Sequence, residues 1–148
     1  MSAHRNEASI EIEAPAADVF PWLADPGRRL EWMGALVESE RLTDGPLEVG
    51  SRFRDVFEDH GHRVELEAQL VEVDPPRALA VRLEASAFAA TSSQRLDESE
   101  AGTRLTALIE TTYTALAARL LAPVVTRHAQ KQLEADLVRL KELVEAAG

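Results

Sequence analysis

Residues 115–148 read ALAARLLAPVVTRHAQKQLEADLVRLKELVEAAG, and the spacing of their apolar side chains predicts one long amphipathic helix. Leu133, Leu137, Leu140 and Val144 recur at intervals of four, three and four, which places them on one helical face. Carried back at about 100° per residue, that face meets Ala129, Thr126 and Ala122. The buried face is therefore bulky in its second half and small in its first. The bulky half should close a core, and the small half should leave room beneath the helix. Such room points to a small-molecule pocket. Nothing in the stretch names its occupant.

Working back toward the amino terminus, the chain alternates. Leu105, Ala107, Ile109, Thr111 and Tyr113 share one face of a predicted strand, as do Leu79, Val81 and Leu83. Val64, Leu66, Ala68 and Leu70 alternate with Arg63, Glu65, Glu67 and Gln69, the cleanest strand pattern in the chain. In residues 88–96 the inward set is Phe88, Ala90, Ser92, Gln94 and Leu96. In residues 49–58 it is Ser51, Phe53, Asp55 and Phe57, because two phenylalanines outweigh Val56 on the other face. Turn signals at residues 43–46, 59–61, 74–76 and 98–102 separate these runs, as in an antiparallel meander. Residues 9–14 (SIEIEA) begin the chain's order as a half-buried strand. Pro15 ends it and opens a short helix, and residues 28–33 suggest a second after the Asp25-Pro26-Gly27 turn. An apolar sheet face must be covered. The last 24 residues, about 36 Å as a helix, are the only cover long enough. The expected class is α+β, a curved antiparallel sheet of about seven strands wrapped around one long helix.

This order resembles the START-like superfamily of polyketide cyclase/dehydrase and lipid-transport proteins, the helix-grip fold shared with birch-pollen-allergen-like proteins. The resemblance rests on residues 10–20 (IEIEAPAADVF), 23–26 (LADP), Trp32, 49–53 (VGSRF), 73–79 (VDPPRAL) and 133–145, and it spans residues 8–146. These motifs are strand ends, turns and helix starts, so they speak for fold more than for activity. The resemblance implies a cavity between sheet and long helix that takes a hydrophobic, lipid- or polyketide-like molecule. It also implies two alternatives, a cyclase or dehydratase and a protein-interaction module like the heat-shock-protein activators.

Pockets of this kind are mostly apolar with a few placed polar groups. On the predicted phases, the ligand-contacting candidates are Phe53, Phe57, Leu66 and Phe88, with Trp32 near the mouth. Ser92, Thr111, Thr126 and Ala129 complete the set. Asp55 between two phenylalanines would be partly desolvated, a setting for a general acid or base unless it pairs with Arg52, Arg54 or Arg82. Tyr113 could then polarise a carbonyl. The His60-Gly61-His62 stretch reads as a hairpin turn and not as a metal site, since two histidines lack a third ligand. His128 falls about 140° from the Leu133 line and should face solvent unless Pro123 kinks a longer helix. Glu38, Glu40, Glu65 and Glu67 alternate with apolar neighbours, which marks an exposed strand face and not a glycosidase pair.

Composition narrows the rest. The 148 residues suit one domain, residues 1–148, with residues 1–7 as a flexible terminus. A net charge of −10 with no basic stripe opposes binding to nucleic acid and to anionic membrane surfaces. No apolar run approaches the roughly 20 residues of a membrane span, so no stable membrane insertion is expected. There is no cysteine, Gly-rich phosphate loop or G-x-S-x-G, so no metal, nucleotide or other cofactor is implied. Without a secretory signal, a cytoplasmic location is the expectation. Leu121, Val124 and Val125 lie off the buried line, where a loop or a second copy in a homodimer could pack.

Overall fold

The computed structural model describes residues 4–59 and 61–148. In chain order these form β1 (His4–Ile12), α1 (Ala16–Ala24), α2 (Pro26–Trp32), β2 (Leu36–Arg41), β3 (Arg52–Asp59), β4 (His62–Asp74), β5 (Ala78–Glu84), β6 (Phe88–Ser99), β7 (Gly102–Tyr113) and α3 (Leu116–Ala147). The strands make one antiparallel sheet in the order β1-β7-β6-β5-β4-β3-β2. The first connection is the crossover, and it carries α1 and α2 from one edge strand to the other.

Local chemistry sets the boundaries. Strand β1 starts at His4, five residues before the alternation of residues 9–14 becomes visible, so residues 4–7 are sheet and not a loose terminus. Helix α2 begins at Pro26 and not at residue 28, because Asp25 accepts from the Arg28 N–H at 3.0 Å and Pro26 needs no partner at the first helical position. At the β6–β7 turn, Gly102 has φ +140°, and a Cβ there would lie 2.8 Å from Ile12 O and Ala14 N. Only glycine lets this turn pass beneath the end of β1. Thr103 fixes the same corner by donating its hydroxyl to Ala14 O at 2.7 Å.

The inward faces agree across the sheet. Phe88 opposes Tyr113, Ala90 opposes Thr111, Ser92 opposes Ile109, Gln94 opposes Ala107 and Leu96 opposes Leu105. The two strand phases read separately from sequence are thus one surface. The outer face of β2, β3 and β4 carries Glu38, Glu65 and Glu67, all exposed, as the alternation predicts. Arg54 there pairs with Glu65 at 2.6 Å, Arg52 with Glu67 at 2.8 Å, and Arg63 with Glu38.

Helix α3 is 32 residues long and includes Pro123. It runs in the direction of β1 and is pinned to it at successive levels. Asn6 donates to Thr126 O (2.9 Å), Gln130 to Glu7 O (2.9 Å), Lys141 to Glu11 O (2.8 Å), and the Glu13 N–H to Glu145 (2.8 Å). From the other side, His128 meets Asp59 at the end of β3 at 2.5 Å, and Asp136 accepts the Gly34 N–H at 3.0 Å. A Cβ on Gly34 would lie 2.8 Å from Gln132 Nε2, so the segment after α2 approaches the helix closely there. Strand β1 thus holds α3 along one side, and the end of β3 and the segment after α2 hold it on the other.

Candidate functional site

The two halves of α3 cover the sheet unequally. Leu133, Leu137, Leu140 and Val144 join one buried cluster with Ile12, Val19, Phe20, Leu23, Trp32, Phe53, Leu66, Leu70 and Leu105. Toward the amino end only Ala122 is fully buried, and Thr126 and Ala129 are less enclosed. None of these three joins the main cluster. Small side chains over a wide sheet cannot reach its floor, which is where the sequence places the room.

Opposite this half lie Thr111, Tyr113, Phe88, Ser92 and Ile109, all half-buried, on the inward faces of β6 and β7. The ring of Tyr113 meets Phe88 at 6.3 Å and, edge-on, His4 at 5.4 Å between centroids. Burial raises the Tyr113 phenol above its ordinary value, so it is held as a hydroxyl donor. Thr126 Oγ1 is near enough to offset part of that rise, yet it is buried without a partner in hydrogen-bond geometry. A buried hydroxyl with unused capacity beside a phenol is a candidate polar contact for a ligand.

Asn6 extends this polar group. It is 5% exposed and donates to both Thr126 O and Gln130 Oε1 (3.1 Å). Sequence reasoning does not select His4, Asn6 or Gln130. The period-two signal that could find the first two runs His4, Asn6, Ala8, Ile10, Ile12, but its first members are polar and read as a loose end.

Asp55 does face inward, and it is fully buried. Its partner is Arg29 of α2 at 2.9 Å, not Arg52, Arg54 or Arg82, which lie on the opposite face of their strands. Ser39 on the neighbouring strand donates to Asp55 Oδ1 at 2.7 Å, so both carboxylate oxygens are engaged. Along the sheet, Asp55 and Tyr113 stand near opposite ends of one cross-strand row that passes through Leu66 and Phe88. Four strand spacings separate them, about 19 Å along the surface before curvature.

Other candidates sort by burial. Phe53 and Leu66 are core residues, and Phe57 and Phe88 are partly open. Trp32 is closed into the core and does not stand at a mouth. Its indole N–H is used on Trp22 O at 2.8 Å, which ties α2 to α1. His128 stays exposed despite Pro123 lying within the helix. Of the His60-Gly61-His62 turn, His60 lies outside the described residues, and Gly61 has φ +80°. The recess at the far end of the sheet, about 700 Å³ between Pro15, Arg77, Leu96 and Gly102, shares no residue with this set.

A curved antiparallel sheet that grips a long helix defines a helix-grip protein. Polyketide cyclase/dehydrase and lipid-transport proteins, as a sequence family, match residues 3–145, and the chain belongs to that family. No curated protein sequence matches it. Among solved structures, TTHA0849 from Thermus thermophilus is similar with 21% identity and a TM-score of 0.80, covering 97% of this chain and 99% of that one. The Zhui aromatase/cyclase from Streptomyces sp. R1128 shares 20% identity at TM-score 0.80, over 97% and 94% of the two chains. The di-domain aromatase/cyclase StfQ of the steffimycin biosynthetic pathway is 12% identical at TM-score 0.76 and is matched over 50% of its length, with 98% of this chain covered. At these identities the structural likeness establishes the fold. Among the described residues, no helix is long and apolar enough to cross a membrane.

Proposed function

We propose that this protein binds and carries a hydrophobic small molecule, lipid- or polyketide-like, between the sheet and the amino-terminal half of α3. The carrying observation is the asymmetry of the helix. Its carboxy-terminal half is sealed into the core, whereas Thr126 and Ala129 stand outside that cluster, opposite Phe88, Thr111 and Tyr113. Thr126 Oγ1 and the Tyr113 hydroxyl supply the orienting polar contacts. The test is displacement of an environment-sensitive apolar dye, read for the native protein and for Thr126→Phe and Ala129→Phe. Both variants should fold and lose uptake. Full uptake by both would remove the site from beneath α3.

Catalysis is the second reading, favoured by one observation: Tyr113 is a half-buried phenol whose pKa burial raises, and its hydroxyl is suited to polarising a carbonyl. Asp55 would act from within its ion pair with Arg29, so a substrate using both groups must span most of the cross-strand row. An enzyme should lose turnover in Tyr113→Phe while retaining uptake. A carrier should retain transfer in that variant. An interaction module, the third reading, should tolerate changes to both the recess and Tyr113.

A further inference from the structure

Between Thr111 and Leu133 the chain contains no acidic residue, although the whole protein has 26. Within this interval lie Arg119, Arg127 and Lys131, all exposed, and no ion pair holds them among the described residues. The contrast with Arg52, Arg54 and Arg63, which all pair with carboxylates, is direct. The overall charge of −10 therefore conceals a basic segment.

That segment also carries the densest exposed apolar surface. Leu116, Leu120, Leu121, Val124 and Val125 stand out from the first turns of α3, with Leu120 74% exposed. Leu116, Leu120 and Val124 stack at intervals of four on one side, and the same row continues as Arg127 and Lys131. The helix end is thus apolar at its tip, with bases one to two turns further along.

We infer that the amino-terminal end of α3 docks the protein on an anionic lipid surface, with the leucines and valines at the acyl boundary and Arg127 and Lys131 at the headgroups. Such helices bind through buried apolar area together with basic attraction to anionic lipid. A second copy of this chain fits less well. The five side chains expose on the order of 500 Å², against about 800 Å² per partner in a standard protein interface. The patch has no aromatic anchor of the kind that specific protein partners use. The inference stands whether or not the recess carries a ligand.

The experiment is co-sedimentation of the intact protein with phosphatidylcholine vesicles containing about 30% phosphatidylglycerol, compared with pure phosphatidylcholine. Binding should require the anionic lipid and weaken sharply at about 0.5 M salt. Two double variants on exposed positions, Leu120→Glu with Val124→Glu and Arg127→Glu with Lys131→Glu, should each bind at least about tenfold more weakly. Circular dichroism checks that both remain folded. Equal sedimentation with both vesicle types, no sedimentation, or unchanged binding by either variant would overturn the inference. So would a concentration-dependent dimer that Leu120→Glu dissociates in a protein that ignores vesicles, which assigns the patch to a second copy. Capture of an acidic soluble protein without vesicle binding would overturn it as well.

Discussion

The two halves of α3 share one helix and one buried line, yet they use it oppositely. The carboxy-terminal half fills that line with Leu133, Leu137, Leu140 and Val144, all buried in the main cluster. Asp136 and Arg139 then hold it to the segment around α2, through the Gly34 N–H and Glu31 O. The amino-terminal half keeps Ala122, Thr126 and Ala129 on the same line and leaves its bulky side chains outside. Burial stabilises the first half, and the proposed site rests on the small side chains of the second.

Stability should therefore concentrate on the sealed side, and substitutions can break that expectation. The largest cost is expected for Arg29→Ala. It strands the fully buried Asp55 carboxylate, for about 3–5 kcal/mol. Chemical denaturation would show it, and replacing both partners by apolar residues of similar volume should recover much of the loss. Next comes Leu140→Ala, which deletes a fully buried side chain for about 3 kcal/mol. In contrast, Ala129→Phe should change stability by less than about 1 kcal/mol if it enters the proposed recess, because it then does not overpack a core. A cost as large as that of Leu140→Ala would mean that the two halves are equally sealed.

The smallest effect concerns Asp136. Partial burial raises its carboxyl above the ordinary range, against the lowering influence of the Gly34 N–H and Gln132. With the folded value above the unfolded one, the group's contribution is favourable in acid and is lost as pH rises through the folded value. Asp136→Asn keeps the acceptor for Gly34 and removes that loss. At pH 7 it should gain slightly, since solvent screens a half-exposed group, and near pH 3 it should gain nothing. Urea midpoints at the two pH values measure the difference.

Much of the fold is legible in the sequence because its periods are long and consistent. Leu133 to Val144 mark the gripping face, and the alternations of residues 88–96 and 105–113 align in register as read. The site is legible only where it borrows from those periods. Thr126 and Ala129 come from extending a helical line, and Asp55 and Tyr113 from extending strand phases. What escapes depends on contacts between distant segments. Arg29 escapes because nothing local in α2 tells an arginine aimed at Asp55, 26 residues on, from one in solvent. His4 and Asn6 escape because an inward polar residue at a strand's start weakens the hydrophobic signal by which strands are recognised. The basic charge around α3 is hidden by a whole-chain average.

The most direct measurement is native mass spectrometry of the protein purified from its own host, followed by denaturing extraction of what accompanies it. The proposed recess beneath the amino-terminal half of α3 predicts a stoichiometric apolar molecule, displaced when Ala129→Phe fills the space. A protein that emerges empty, and takes up nothing from a panel of lipids and polyketides, would contradict the account.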